Sequence, residues 1–325
     1  MKLKEYFRLG RIFNAEILGL ILILSYLLTA KIYDKSINIA ILVGLFLVGV
    51  LAHIWGGYNN DRLDLSIDSK SDYCKHKPLV TGIISLKNAK IIEFSILFIF
   101  LAILLFISPN KIYTAIYILI AIILAYSYNR YNKSNMIINV FGQIYATFMV
   151  LVGMSLIVNF NYIIFLSAIV MGLNGIYLNI IEADLKDIRG DIINVPKSLG
   201  VKFKENSASN ITKFYFLNEA IKISMFLLIL YILYLENVAL LVFIIAFVFF
   251  IINFFVRIVM FKNLSPNREK MKPYWAVQEL TSILMISTIY IIVHPFLPLI
   301  VVSFVFIWLL VWNKILWGNY LRPQV

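Results

Sequence analysis

The sequence predicts an all-α, polytopic transmembrane helical bundle, and its composition and layout carry this prediction. Of its 325 residues, 62% are hydrophobic and 14% are charged, whereas soluble domains are about half apolar and about a quarter charged. The mean hydropathy is +0.89. The apolar residues also gather in runs of about 20, which is the length of a helix that crosses a bilayer. We therefore expect a single integral membrane domain over residues 1–325.

The apolar runs define the expected spans, all of them helices, because an isolated strand would leave backbone groups unpaired in lipid. The first run is expected to stay as a span, since no small-residue cleavage site follows it. His294-Pro295 separates the last two runs but could instead kink one longer helix, so we expect nine to ten spans. The ten runs are 12–31, 37–58, 89–108, 112–128, 136–158, 161–182, 214–235, 238–260, 276–293 and 296–316.

The positions of the basic residues predict which side of the membrane each connection faces. If the N-terminal tail and every second connection share one side, that side holds nearly all of the 29 Lys and Arg. The exceptions are Lys31, Lys35, Lys111 and Lys222. Cytoplasmic loops collect Lys and Arg, so both termini and the long connections at 59–88 and 183–213 are expected in the cytoplasm of a multi-pass cell-membrane protein. The net charge of +12 then reflects sidedness, and we expect no nucleic-acid partner and infer no obligate protein partner.

Aspartates recur in the two long connections with the same spacing, three residues and then four. Each cluster begins at the cytoplasmic end of an expected span, so the pattern occurs once in each half, about 8–135 and 136–260, before the C-terminal spans at 276–316. We expect the two connections to form helical caps. The two clusters are Asp61, Asp64 and Asp68, and Asp184, Asp187 and Asp191.

The spacing of the acids indicates a cation site. On a helix, Asn60, Asp64 and Asp68 share one face, and their side chains would repel each other unless a cation lay between them. Mg²⁺ prefers oxygen ligands and takes carboxylates together with substrate phosphates. Two such helices could hold two or more Mg²⁺ ions bridged by a diphosphate, with nearby bases such as Arg62 and Lys197 suited to phosphate oxygens.

The stretches NDRLDLSID at 60–68 and DLKDIRGD at 184–191 resemble the NDxxDxxxD and DxxDxxGD motifs of the UbiA superfamily of intramembrane prenyltransferases. KPLVTG at 77–82 is similar to the RPLxxG segment of that family, with Lys77 in place of Arg. Members usually have nine spans, fewer than the ten runs counted here. Smaller similarities lie at Tyr126-Ser127 with Arg130 and Lys133, and at Arg11 and Asn14 near the first span.

The resemblance implies an Mg²⁺-dependent enzyme with a UbiA-like fold. It would move a polyprenyl group, for example geranylgeranyl, from its diphosphate to a lipid or aromatic acceptor. The implied leading metal ligands and catalytic residues are Asn60, Asp64, Asp68, Asp187 and Asp191, supported by Asp61 and Asp184. The implied diphosphate contacts are Lys77, Tyr126, Arg130 and Lys133. The acceptor, the chain length and the oligomeric state remain open.

Three residues are weaker candidates for the substrate pocket. His53 lies seven residues before Asn60 on the same helical face, and it is expected either beneath the headgroup or as a hydrogen-bonded packing residue. Arg11 and Asn14 enter this group through the resemblance alone.

Two other functions compete with prenyl transfer. A CDP-alcohol phosphatidyltransferase is also aspartate-rich, but its motif needs Gly after the first Asp, and here Arg62 follows Asp61. A transporter would place ionisable groups near the middle of the membrane, whereas these acids lie at one edge.

Overall fold

The computed structural model describes residues 2–70, 74–186 and 194–320, and it has ten helices long and apolar enough to cross a membrane. The expected all-α membrane architecture is therefore confirmed. The helices before residue 160 are α1 (Lys2–Leu9), α2 (Glu16–Ile32), α3 (Ile39–Leu63), α4 (Leu65–Asp68), α5 (Leu86–Ile107), α6 (Lys111–Tyr131), α7 (Met136–Phe141) and α8 (Tyr145–Ser155). Those after it are α9 (Tyr162–Leu178), α10 (Asp184–Lys186), α11 (Val195–Ser198), α12 (Thr212–Leu235), α13 (Leu240–Lys262), α14 (Arg268–Ser287) and α15 (Leu297–Trp317).

Shorter elements fill the connections. Turns of 3₁₀ helix occupy Ile12–Asn14, Gly142–Ile144 and Thr288–Ile292, and a π-helical turn occupies Asn179–Ala183. Two short strands, β1 (Lys202–Phe203) and β2 (Ala208–Ser209), pair antiparallel. The cap connections therefore combine the short helices α4, α10 and α11 with a hairpin that the sequence reading did not anticipate.

Polar side chains fix where several helices begin. Asn38 accepts hydrogen bonds from the backbone amides at the start of α3, and Ser85 accepts one at the start of α5. Asn267 does the same for α14, which begins at Arg268 rather than at the expected residue 276. Such side chains satisfy backbone N–H groups that have no partner inside the helix. The 3₁₀ turn ending at Ile292 and the start of α15 at Leu297 separate the last two spans.

The chain packs as two compact units. Unit 1 comprises Met1–Arg130, Phe148–Ile164 and Ser303–Val325, and unit 2 comprises Tyr131–Thr147 and Phe165–Val302. The first aspartate cluster belongs to unit 1 and the second to unit 2. The expectation of a single functional domain stays a prediction.

Close backbone approach and aromatic packing hold unit 1 together. A Cβ on Gly49 of α3 would lie 2.3 Å from the backbone nitrogen of Gly19 in α2, so only glycine permits this crossing. From α15, the indole N–H of Trp308 donates to the carbonyl oxygen of Ile12 at 2.9 Å, and its ring packs on Phe46. The N-terminal turn is therefore fixed from two sides.

Unit 2 contains a buried polar network, by which we mean Asn174, Tyr177, Glu219, Lys222, Asn253, Arg257, Gln278 and Ser282. Arg257 donates twice to Glu219, at 2.7 and 2.8 Å. Lys222 donates to Ser282 at 2.7 Å, and its Nζ lies 3.7 Å from the centre of the Tyr177 ring. An unpaired ion buried within a membrane span would strongly destabilise the fold. These contacts offset the energetic cost of burying the charged side chains.

Candidate active site

The first aspartate cluster lies where α3 gives way to α4. Asp64 lies between the end of α3 at Leu63 and the start of α4 at Leu65, so the expected single helix is interrupted there. Helical hydrogen bonds nevertheless continue across the break, because the amide of Asp64 donates to Asn60 at 2.9 Å and that of Asp68 donates to Asp64 at 2.8 Å. Asp61, Asp64 and Asp68 are all buried.

Two basic side chains form ion pairs with two of these buried carboxylates. Arg11 donates to Asp61 at 2.8 Å, and Lys77 donates to Asp61 at 3.1 Å and to Asp68 at 2.7 Å. The amide of Asn60 donates to Asp64 at 3.3 Å. We call this set, namely Arg11, Asn60, Asp61, Asp64, Asp68 and Lys77, the acidic cluster.

The acids keep both cations protonated. Burial is the largest influence on the pKa of Lys77 and lowers it, and Arg11 lowers it too, but Asp61 and Asp68 outweigh both and raise that pKa above its ordinary 10.5. Burial likewise lowers the pKa of Arg11, and the neighbouring carboxylates, Asp61 foremost, raise it overall. The cluster therefore carries fixed positive charge that is suited to diphosphate oxygens.

The position of Arg11 depends on a close approach of backbone segments. Arg11 has φ 51° and ψ 41°, a left-handed conformation that non-glycine residues rarely adopt. Beneath it, a Cβ on Gly57 would lie 3.0 Å from the carbonyl oxygen of Leu9 and 3.1 Å from the carbonyl carbon of Gly10. Gly57 lies one helical turn before Asp61, so this contact lets Arg11 reach that carboxylate. Strained residues of this kind concentrate at functional sites.

Lys77 is positioned by the tight segment that leads into α5. The amide of Ile84 donates to Pro78 at 3.2 Å, and Gly82 has the positive φ of 72° that the turn requires. Leu79 and Ile84 are buried against Leu9 and Tyr58. The segment resembling RPLxxG therefore acts through its apolar side chains, which dock it and place Lys77 on the acids.

The opposite face of α3 carries an ion pair that sequence reasoning missed. Glu93 of α5 accepts from Arg62 at 2.6 and 3.0 Å and from Asn59 at 2.8 Å. Asn129 of α6 donates to Asn59 at 3.0 Å. A signal for Glu93 was present, because an acid inside an apolar run is by default a functional candidate.

A cavity of about 550 Å³ borders this ion pair, and Tyr126 lies in its lining beside Arg62 and Glu93. Its other walls come from α3, α5 and α6 and include Trp55 and Phe94. The structure thus groups Tyr126 with Arg62 and Glu93, and its expected contact with diphosphate stays a prediction.

In the second aspartate cluster, Asp184 has structural partners. It accepts from the amide of Asn139 at 3.0 Å and from the backbone of Val195 at 2.7 Å. Asn179, in the π-helical turn, donates to Asn139 at 2.8 Å. Such turns are frequent at functional sites. Asp184 therefore ties α7 to the start of α11. Its expected supporting role in metal binding stays a prediction.

The remaining predicted residues fall into two groups. Asp187 and Asp191 lie outside the described residues. Arg130 is exposed at the end of α6, and Lys133 lies in the turn that follows. Asn14 ends the first 3₁₀ turn, and His53 is half-buried on α3. Their expected roles remain predictions.

The donor set of the acidic cluster fits magnesium. Its ligand atoms are carboxylate and amide oxygens, which hard cations prefer. Within the described ranges, no group of three or more His, Cys, Asp or Glu side chains could hold a metal ion. Mg²⁺ usually keeps several waters and completes its shell with substrate phosphate, so this arrangement suits an ion that arrives with a diphosphate.

Comparison with known proteins gives the class of this membrane protein. The model of the UbiA prenyltransferase family matches residues 20–277. A solved structure described as digeranylgeranylglyceryl phosphate synthase is 21% identical, with a TM-score of 0.65, and the match covers 90% of this chain and 98% of that one. A search of the curated proteins found no match.

Two further solved structures share the fold. An apo UbiA homologue from Aeropyrum pernix K1 is 15% identical with a TM-score of 0.63, covering 89% of this chain and 98% of its own. A UbiA homologue from Archaeoglobus fulgidus bound to DMAPP and Mg²⁺ is 19% identical with a TM-score of 0.60, covering 89% and 99%.

The fold and the family match define a multi-pass membrane enzyme that transfers prenyl groups. The chain belongs to the UbiA prenyltransferase family, as the motifs had indicated. This membership sets aside the phosphatidyltransferase and transporter alternatives.

Proposed function

We propose that this enzyme is Mg²⁺-dependent and transfers a polyprenyl group from its diphosphate to a lipid or aromatic acceptor at the cytoplasmic face of the membrane. The observation that carries the proposal is the acidic cluster. Three buried aspartates lie at the end of a span, and Lys77 and Arg11 face two of them. Oxygen ligands and phosphate-binding cations are thereby combined in one place.

Each group in the proposal has a specific task. Asn60, Asp64 and Asp68 supply ligand oxygens, and Asp187 and Asp191 do so from the second motif. Arg11 holds Asp61 in place. Lys77 of the acidic cluster binds the diphosphate, with Arg130, Lys133 and Tyr126 as further contacts. Bound Mg²⁺ would neutralise the charge that develops on the leaving diphosphate.

The reaction replaces one bond to the prenyl chain by another. The bond between the allylic carbon C1 and the diphosphate oxygen breaks, and its electron pair leaves with the diphosphate. C1 then bonds to a nucleophilic atom of the acceptor, which gives up a proton to water. Fixed cations near the diphosphate stabilise this charge separation because they need no reorganisation during the reaction.

The substrates are proposed from chemistry and from relatives. A prenyl chain is insoluble in water, so an enzyme within the membrane can take its tail from lipid while the charged head meets Lys77. The Archaeoglobus fulgidus homologues were solved with DMAPP or GPP and Mg²⁺. The digeranylgeranylglyceryl phosphate synthase structure makes geranylgeranylglyceryl phosphate the first acceptor to test, followed by hydroxybenzoate-type rings.

The test is prenyl transfer by purified protein. We expect geranylgeranyl diphosphate, Mg²⁺ and one member of an acceptor panel to give a prenylated product by mass spectrometry, with one diphosphate released per product. Asp68→Asn should remove the product. Asp34→Asn is the matched control, because Asp34 lies in the turn between α2 and α3, far along the chain from either motif. Absence of both product and released diphosphate across several chain lengths would refute the proposal.

A further inference from the structure

Glu93 stands out among the buried charges because its partners flank the metal motif. It is 2% exposed in the first third of α5, within a span whose other residues are mostly apolar. Its two oxygens accept three hydrogen bonds from Asn59 and Arg62, at 2.6 to 3.0 Å. These residues lie immediately before and after Asn60 and Asp61, so the contacts of Glu93 bracket the start of the motif.

A second anchor supports the same helix end. The amide of Asn129 on α6 donates to the side chain of Asn59 at 3.0 Å and to the carbonyl oxygen of Gly56 at 3.3 Å. Side-chain hydrogen bonds therefore connect the last turn of α3 to α5 and α6. These hydrogen bonds add to the contacts that Arg11 and Lys77 make on the acidic face of α3.

This fastening matters for metal binding because α3 ends at Leu63 and its final turn carries Asn60 and Asp61. Helix ends fray unless their backbone and side chains are held. A metal ligand must keep its position within a fraction of an ångström. A buried, doubly hydrogen-bonded ion pair on the opposite face restricts how far the final turn can rotate or unwind.

We propose that Glu93 is a positioning residue for the metal–diphosphate site, acting through Asn59 and Arg62 on the orientation of Asn60 and Asp61. The inference rests on the proposed function, because it concerns the same site. In this role Glu93 acts through its hydrogen-bond partners and not by binding substrate. It restricts the final turn of α3 so that the ligand oxygens are preorganised before metal and diphosphate arrive, as partners one shell beyond a metal commonly do.

The test compares Glu93→Gln with a matched control, Glu219→Gln. Glu219 is also a buried carboxylate that accepts two hydrogen bonds from one arginine, at 2.7 and 2.8 Å, and its described ion-pair partner is Arg257. Binding of Mn²⁺, an EPR-visible substitute for Mg²⁺, is measured in the presence of geranylgeranyl thiodiphosphate, an analogue that resists turnover. Thermal unfolding of each variant is recorded in parallel.

We expect Glu93→Gln to weaken Mn²⁺ binding about tenfold, as loss of an outer-shell partner typically does. Glu219→Gln should lower thermal stability but change Mn²⁺ affinity less than about twofold, which is within the usual context dependence of such effects. Equal weakening in both variants, or unchanged affinity in Glu93→Gln, would overturn the positioning role. If wild-type protein binds no Mn²⁺ with the analogue, the proposed function itself fails.

A second variant keeps the test decisive if Glu93→Gln does not fold. Asn129→Ala removes one anchor and leaves the Arg62–Glu93 pair intact. We expect it to weaken Mn²⁺ binding about threefold at nearly wild-type thermal stability, because it removes two neutral hydrogen bonds, each of modest net strength. Wild-type affinity in this variant would contradict the inference.

Discussion

The acidic cluster of unit 1 and the buried polar network of unit 2 both combine carboxylates with cations, but they differ in access to solvent. The side chains of Arg11 and Lys77 are 41% and 22% exposed, whereas that of Arg257 is 0% exposed. In the network, Arg257, Lys222 and Gln278 also have partners from several helices. Cations at the acidic cluster are therefore accessible to an incoming anion, whereas Arg257 in the network is not.

This difference separates binding from structural stability. A charge pair that is partly open to water contributes little to folding, so the acidic cluster is expected to be retained for binding. When one partner of a fully buried ion pair is removed, the other charge stays buried without a partner, and this lowers the free energy of unfolding. Substitutions in the two regions should therefore affect different measurements.

The largest effect is expected for Asp64→Ala in the acidic cluster. Prenyl transfer should fall by about 100-fold or more, since losing even an outer-shell partner of a metal site costs 10- to 100-fold. Steady-state kinetics over a range of Mg²⁺ concentrations measures this. Thermal unfolding should shift little, and full activity in this variant would contradict the assignment of Asp64.

The second largest effect is expected on folding stability, from a substitution in the buried polar network. Arg257→Leu should lower the free energy of unfolding by about 3–5 kcal/mol, because Glu219 would remain buried without its partner. Denaturant titration in detergent micelles measures it. The double variant Arg257→Leu with Glu219→Leu should recover much of the loss, and a neutral single variant would show that the pair is not structurally important.

Lys77→Gln should reduce activity about 10- to 100-fold, in line with the loss of a hydrogen bond to a charged group. Lys77→Arg should retain most of the activity, because it keeps the charge and adds a planar fork of donors that can bind two phosphate oxygens at once. Comparing kcat/KM for the prenyl diphosphate measures both effects. Equal losses in the two variants would argue against a phosphate contact.

The pH dependence of Lys77 follows from the same contacts. Its pKa is raised above 10.5 by Asp61 and Asp68. A raised pKa means that the ion pairs contribute fully below the unfolded value and are lost as pH rises through the folded one. A lysine of ordinary pKa is protonated up to about pH 10. The activity of the wild type should therefore not fall between about pH 7 and pH 10 through deprotonation of Lys77. A fall in activity within this pH range that is absent in Lys77→Arg would contradict the prediction.

The smallest effect compares two adjacent glycines. Gly57→Ala should lower activity about three- to tenfold, because the added methyl group displaces the turn that carries Arg11, and small displacements at a site are costly. Gly56→Ala is the control, since nothing lies within 4 Å of its Cβ position, and helix propensity predicts a slight stabilisation. Initial rates of both variants test whether the close approach at Gly57 matters for activity. Equal rates in Gly57→Ala and Gly56→Ala would show that it does not.

The spans and the acidic motifs were predictable because they depend on local pattern. Apolar run length placed the membrane helices, and the spacing of Asp61, Asp64 and Asp68 placed the cluster. The contacts that complete the site were not predictable, because they join residues far apart in sequence. The left-handed turn at Arg11 depends on Gly57, and the ion pair of Arg62 depends on Glu93, and neither dependence shows in a local pattern.

The two motifs are proposed to bind one metal–diphosphate group, and calorimetry of geranylgeranyl diphosphate binding tests this most directly. Binding should require Mg²⁺ in wild type and should be lost in Asp64→Ala and, separately, in Asp187→Ala. Wild-type affinity in either single variant, or binding that is indifferent to Mg²⁺, would contradict the account.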